Sequence, residues 1–143
     1  MNKIEIKESN GEVIYTYEGE NATIKDAVED AVKKGVNLSL AVIRNANLEG
    51  ADLCGANLYR ADLEGANLED VNLEIAFIKN AVLKRANLCG ANLYNADLEE
   101  TDLSDANLTR ASLEFTHLYD TNFFNANLKD ANLKDTELEK YQN

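Results

Sequence analysis

Side chains that could carry catalysis are few and scattered in this sequence of 143 residues. There is one histidine, His117, and there are two cysteines, Cys54 and Cys89, so no nucleophile is paired with a base. This set also lacks the number and spacing of metal ligands. Phosphate-binding loops and dinucleotide fingerprints are absent, and no cleft is expected. We therefore expect no enzyme, no cofactor and no bound metal.

Carboxylates are abundant, with 26 Asp and Glu against 14 Lys and Arg and a net charge of −12. This balance disfavours direct binding to nucleic acid or to anionic membranes. No apolar run approaches the roughly 18 residues of a transmembrane helix. Polar residues follow Met1, so we expect no signal peptide. The two cysteines suit free thiols in a reducing compartment, and we expect a cytoplasmic protein.

Residues 1–35 contain no leucine and are predicted to form a separate αβ unit. Alternating apolar residues predict two strands joined by a turn at Asn10–Gly11. Thr23 suits a helix N-cap and Asp26 the first helical turn, and apolar residues then recur at helical spacing as far as Gly35. A hairpin and one helix bury too small a core to be stable alone, so we expect them to cap the following segment.

From residue 36 to residue 140 the sequence repeats every five residues without a gap, giving 21 units. We number the positions of each unit 1 to 5. Position 3 is always large and apolar and is leucine in 18 units, while position 1 is alanine in 15. Position 2 is asparagine in 11 units and aspartate in four, and positions 4 and 5 vary. A period of five fits neither a helix nor a strand. It predicts a solenoid with positions 1 and 3 inside, and with asparagine and aspartate serving the bends.

The motif Ala-Asp/Asn-Leu-X-X, as in Ala51–Gly55 and Ala56–Arg60, resembles that of the pentapeptide-repeat family. The resemblance covers about three quarters of the chain. It implies an all-β solenoid, a right-handed quadrilateral β-helix with four units per coil and about five coils. With the N-terminal hairpin and helix, it divides the chain into a cap at 1–35, a β-helix at 36–140 and a C-terminal tail at 141–143.

Residues 20 apart stack if each coil has four units. One such column holds asparagine at position 2 throughout, and we expect its side chains to hydrogen-bond along the axis of the solenoid. The column consists of Asn47, Asn67, Asn87, Asn107 and Asn127.

Two departures from the repeat mark candidate contact surfaces. Phe77 and Val82 replace Asn or Asp at position 2 in a locally basic stretch, either as tolerated variation or as a partner contact or a change in turn geometry. Tyr119 and Phe124 project outward on adjacent faces, either covering the end of the solenoid or forming an interface. The candidate interaction residues are Tyr59, Phe77, Tyr94, Tyr119 and Phe124.

Two functions follow from the resemblance. The favoured one is a non-catalytic scaffold for protein–protein interaction, with a partner that the sequence does not identify. The alternative is an acidic DNA mimic, since some pentapeptide-repeat proteins resemble duplex DNA and bind type II topoisomerases such as DNA gyrase. The residues for a mimic face are Asp62, Glu64, Glu99, Glu100, Asp102 and Asp105.

Charge density gives the mimic limited support. Residues 36–143 hold 18 acidic and nine basic side chains. Over a rod of roughly 25 Å this is about one net charge per 2.8 Å, against about 1.7 Å in duplex DNA.

For the assembly we expect either a monomer or an end-to-end homodimer through the C-terminal coil.

Overall fold

Parallel backbone bridges between residues 20 apart build the repeated segment of the computed structural model, which describes residues 1–141. The bridges join residues at position 2 and run from residue 42 to residue 132. The amide of position 3 donates to a carbonyl 19 residues later, as from Leu48 to Asn67 at 2.8 Å. The expected stacking of residues 20 apart is therefore confirmed.

A tight turn ends each unit. The amide of position 1 donates to the preceding position 3, as from Ala56 to the carbonyl of Leu53 at 3.0 Å. Position 5 has a positive φ, between 53° and 69°, in every unit from 36–40 to 131–135. A turn with only its third residue left-handed is of type II.

The predicted role of asparagine and aspartate in the bends is confirmed in part. The left-handed residue is position 5, which is glycine, asparagine or aspartate in 13 of the 21 units. Position 2 flanks the turn instead, and its side chain accepts a bond from the amide of position 4, as from Cys54 to Asp52 Oδ1 at 3.3 Å.

Positions 1 and 3 point into one continuous core, as the repeat predicts. Position 3 is buried in every unit except three near the C-terminal end, where Phe123, Leu128 and Leu138 are half-buried. Threonine replaces alanine at position 1 without leaving an unsatisfied donor. The hydroxyl of Thr101, for example, donates to the carbonyl of Ile78 in the preceding coil at 2.9 Å.

The predicted asparagine ladder is present over four members of its column. The side-chain amides of Asn67, Asn87 and Asn107 each donate to the asparagine 20 residues earlier, at 3.1, 3.3 and 3.0 Å. These bonds add to the backbone bridges along the same column.

The N-terminal hairpin adds two strands to one column of the repeat. Strands β1 (Asn2–Glu8) and β2 (Val13–Gly19) pair antiparallel, and β1 also pairs with the short strand β3 (Ala41–Val42), so the sheet order is β2-β1-β3. The turn lies where Asn10–Gly11 predicts it, although only Gly11 has a positive φ, of 87°. Since Val42 also bridges Asp62, the hairpin extends one column of the repeat.

Helix α1 (Ile24–Lys33) has the predicted ends. Thr23 and Asp26 form a reciprocal capping box at its start. Gly35, with φ of 68°, ends it in a Schellman motif, because the amides of Gly35 and Val36 donate to Val32 and Ala31 at 2.9 Å.

The exposed side of the helix bonds to the first units of the repeat. Lys25 Nζ donates to the carbonyl of Glu49 at 2.7 Å, and Glu29 Oε1 accepts from the amide of Asp52 at 2.8 Å. The buried helix residues Ala27, Val28 and Ala31 share the core of the repeat. A short 3-10 helix, Glu139–Tyr141, ends the described chain, and the rest of the predicted tail lies outside the described residues.

Leu88 tests the closed core. Its side chain is fully buried, so Leu88→Asp places a carboxylate without a partner between stacked coils. We expect this variant to lose its cooperative unfolding transition in urea, followed by circular dichroism. Leu88→Met, which nearly conserves volume, should lose less than about 1.5 kcal/mol. A cooperative transition near the wild-type midpoint in the Asp variant would contradict this packing.

Ile75 tests the turn geometry. It is a β-branched residue at position 5, with φ of 53°. Asparagine tolerates this conformation, so Ile75→Asn should raise the free energy of unfolding by about 1 kcal/mol and the melting temperature by a few degrees. The matched control is Asn95→Ile, one coil further in the same column and also at φ of 53°, which should lower stability by a similar amount. Equal melting temperatures for all three proteins would refute the strain.

Candidate interaction surfaces

The first aromatic pair is formed by Tyr59 and Phe77. Their rings stack with centroids 5.7 Å apart and planes 17° apart, and the guanidinium of Arg60 lies 5.2 Å from the Tyr59 centroid. Phe77 stands at position 2 and has no side-chain oxygen for the position 4 amide. In the equivalent unit one coil earlier, Asn57 accepts from the Tyr59 amide at 3.1 Å. Phe77 is 40% exposed, so it replaces a local bond with accessible apolar surface.

A second pair joins Tyr94 to Phe115, with ring centroids 5.6 Å apart and an edge-to-face angle of 75°. Phe115 occupies position 5 with φ of 58°. The sequence-based candidates omitted Phe115 and also Ile75, which shares its column and is 53% exposed. Reading every twentieth residue places both in one column, but that column also holds Gly55, Asn95 and Asp135, so the sequence marks it as variable and not as apolar.

Tyr119 and Phe124 lie apart from these pairs. They are the most exposed aromatic side chains of the repeat, at 64% and 68%. Within the described residues neither makes a ring contact. Of the five candidate residues, Tyr59 and Phe77 thus form one pair, Tyr94 pairs with Phe115 outside the candidate set, and Tyr119 and Phe124 stand alone.

The candidate acidic residues are interleaved with cations. Asp62 Oδ2 lies 2.6 Å from a guanidinium nitrogen of Arg44, which also reaches Glu64 at 3.4 Å. Arg85 pairs with Glu64 from the next coil. These bonds reduce the charge that the first part of a mimic face would present.

The remaining acidic candidates are also bonded. Lys79 Nζ lies 2.8 Å from Glu99 and 3.4 Å from Glu100, and its hydrogen bond holds the pKa of Glu99 below the usual range. Asp102 and Asp105 accept bonds from the amides of Asn122 and Asn125 one coil later, at 3.0 and 3.3 Å. The candidate acidic residues therefore belong to a mixed, cross-linked surface.

The family can now be assigned. The sequence model of pentapeptide repeats matches eight copies, over residues 37–74, 76–105 and 101–139. The chain belongs to the pentapeptide-repeat family. Members of this family form right-handed quadrilateral β-helices, which agrees with bridges four units apart.

Solved pentapeptide-repeat proteins have similar structures. HetL from the cyanobacterium Nostoc sp. strain PCC 7120, described as involved in heterocyst differentiation regulation, is 33% identical, with a TM-score of 0.62 over 73% of this chain and 58% of HetL. Rfr23 from Cyanothece 51142 is 35% identical, with a TM-score of 0.56 over 66% of this chain and 62% of Rfr23. The alignments thus span about three fifths of either relative.

A third pentapeptide-repeat protein, alr5209 from Nostoc PCC 7120, is 27% identical and has a TM-score of 0.57. The alignment covers 70% of this chain and 91% of alr5209. Comparison with curated proteins finds no significant match.

A shallow groove of about 460 Å³ separates helix α1 from the repeat, although the sequence predicts no cleft in this pentapeptide-repeat protein. Burial and the carboxylates of Glu74 and Asp52 raise the pKa of the Cys54 thiol in this groove. The thiolate, which is the nucleophilic form, is therefore disfavoured. The lining residues are Glu29, Val32, Lys33, Asp52 and Cys54.

The rest of the described chain gives no indication of catalysis. Within residues 1–141 no group of three His, Cys, Asp or Glu side chains is arranged to hold a metal ion. None of the helices in that range is long and apolar enough to cross a membrane.

Proposed function

We propose that this pentapeptide-repeat protein is a rigid, non-catalytic scaffold that binds another protein through exposed aromatic side chains. The observation that carries the proposal is the pairing of Tyr59 with Phe77 and of Tyr94 with Phe115 on the outer surface. Partly exposed aromatic rings are enriched at protein interfaces and contribute much of the binding energy. Mounting them on stacked coils limits the conformational entropy lost on binding.

The proposal includes an architecture. A right-handed, four-sided β-helix of about five coils occupies residues 36–140, and residues 1–35 cap its N-terminal end. Pairing of β1 with β3 and the bonds from Lys25 and Glu29 to the repeat support the cap. The scaffold acts in the cytoplasm, either as a monomer or as an end-to-end dimer through the C-terminal coil, where Phe123 and Leu128 are half-buried.

Capture from an extract of the native host tests the scaffold. We expect the wild-type protein to retain specific proteins that a Tyr59→Ser/Phe77→Asn variant retains at least tenfold less, because interface aromatics commonly contribute more than about 1.4 kcal/mol each. Bound proteins are quantified by mass spectrometry. The matched control is Lys129→Ser, an exposed change at position 4 of the unit that contains Asn127 of the asparagine column. Equal retention by all three baits, or none, would overturn the proposal.

The DNA-mimic alternative has its own assay. The cation pairs at Asp62, Glu64 and Glu99 reduce the density of free negative charge, so we expect a molar excess of the protein to leave supercoiling by DNA gyrase unchanged. Supercoiling is followed by gel mobility of a plasmid. Inhibition that disappears in a Glu99→Gln/Glu100→Gln variant would favour the mimic over the scaffold.

A further inference from the structure

Five neighbouring apolar side chains form a band across one edge of the repeat. It consists of Tyr59, Phe77, Ile75, Tyr94 and Phe115. The rings of Tyr59 and Phe77 stack, and those of Tyr94 and Phe115 meet edge to face. Ile75 lies between the two pairs: it precedes Phe77 by two residues, and the Ile75 amide donates to the carbonyl of Tyr94 at 2.9 Å. The band rises through three coil spacings of about 4.8 Å, or roughly 14 Å in total.

Three members of this apolar band depart from what the fold favours. Ile75 and Phe115 hold left-handed φ angles of 53° and 58°, a conformation that costs free energy for any residue with a Cβ and most for a β-branched one. Phe77 has no side-chain oxygen to accept the hydrogen bond that the position 4 amide donates to position 2 in other units. The left-handed backbone itself occurs at position 5 throughout the repeat, so what distinguishes these units is the choice of large apolar side chains that cost stability and remain exposed, which packing does not explain.

The backbone beneath the apolar band limits how a partner can bind. The amides of Ile75, Phe77 and Phe115 donate to carbonyls of neighbouring coils at 2.9, 2.9 and 3.1 Å. Added β-strand pairing would need free amides and carbonyls, so contact must come from side chains. An α-helix rises 1.5 Å per residue, so about ten residues, or three turns, match the roughly 14 Å of the band.

Carboxylates flank the band on both sides. The columns that carry it also hold Glu74, Asp97, Glu99 and Glu114 between residues 59 and 115, against the cation Lys79. Arg60, in the neighbouring column, lies 5.2 Å from the Tyr59 centroid at one end of the band. Lys79 bonds Glu99, and Lys134 approaches Glu114 at 3.4 Å. Glu74 and Asp97, on opposite sides of the band, have no cationic partner within salt-bridge distance in the described chain. A second copy of this acidic surface would meet like charge.

We propose that the apolar band docks an amphipathic α-helix of a partner protein, with apolar residues on one face and Lys or Arg on both flanks. The apolar face covers Ile75 and Phe77, and the flanking cations reach Glu74 and Asp97. This mode of docking uses apolar anchors at helical spacing in a side-chain groove. It rests on the proposed scaffold function and specifies the class of partner.

Binding of a designed helix tests the docking. The probe is a fluorescein-labelled, hydrocarbon-stapled peptide of roughly 14 residues with leucine on one face and Lys and Arg on the flanks. Fluorescence anisotropy with the full chain should show saturable binding that Ile75→Asn/Phe77→Asn weakens at least tenfold. Lys129→Ser, an exposed change outside the band, should change the dissociation constant less than twofold. All three changes introduce a residue that other units of this chain carry at the same position.

Two peptide controls separate the contributions. A scrambled peptide of the same composition loses the apolar face, and a peptide with Glu in place of Lys and Arg loses the charge match. Each should bind at least tenfold more weakly than the probe. Equal binding of the scrambled peptide, or an unchanged dissociation constant for Ile75→Asn/Phe77→Asn, would overturn the docking. A melting temperature of Ile75→Asn/Phe77→Asn at or above that of the wild type excludes misfolding as the cause of weaker binding.

Failure of the docking and failure of the scaffold can be distinguished. If the probe does not bind while the wild-type bait still retains host proteins that Tyr59→Ser/Phe77→Asn loses, helix docking is wrong and the scaffold stands. If the probe binds as expected but the wild-type bait retains no host protein, the apolar band has the proposed chemistry and the scaffold function is overturned.

Discussion

Backbone hydrogen bonds between residues 19 to 21 apart constrain everything else in this protein. Position 3 donates forward, as from Leu48 to Asn67, and position 2 donates back, as from Asn67 to Ala46 at 2.9 Å. These bonds need a backbone amide at most positions of every unit, which proline lacks, and the chain contains no proline. We call this set of backbone bonds between coils the backbone ladder. They also fix outward side chains about 4.8 Å apart, close enough for Tyr59 to stack on Phe77.

The backbone ladder also explains why position 5 accepts so many residue types. Arg, Asp, Glu, Phe and Ile all adopt the left-handed conformation there, since bonds on both sides of the turn hold the backbone. A Cβ at Gly65 or Gly90 would collide with the side-chain oxygen of Asn45 or Asp70 one coil earlier, so a larger residue there requires that neighbouring side chain to move.

Much of this arrangement follows from the sequence, and the limit has a physical cause. The five-residue period predicts the core, and the 20-residue columns implied by the family resemblance predict the asparagine ladder. The helix ends follow from Thr23 and Gly35 because capping is local. Pairing of β1 with β3 is not predictable in this way, because it depends on where the hairpin meets the repeat. The candidate surface was predicted in part, since Ile75 and Phe115 sit at a position that looks variable until its backbone conformation is known.

The negative charge takes on a different meaning once the columns are known. Arg44, Lys79 and Lys134 each reach a carboxylate 18 to 20 residues away, so opposite charges pair between coils. Exposed pairs of this kind contribute about 0–1 kcal/mol each, too little to account for the stability of the fold. Their effect is to leave the unpaired carboxylates at particular places. Glu74 and Asp97 accept hydrogen bonds but have no cationic partner in the described chain, so the charge excess favours the choice and orientation of a basic partner more than it favours folding.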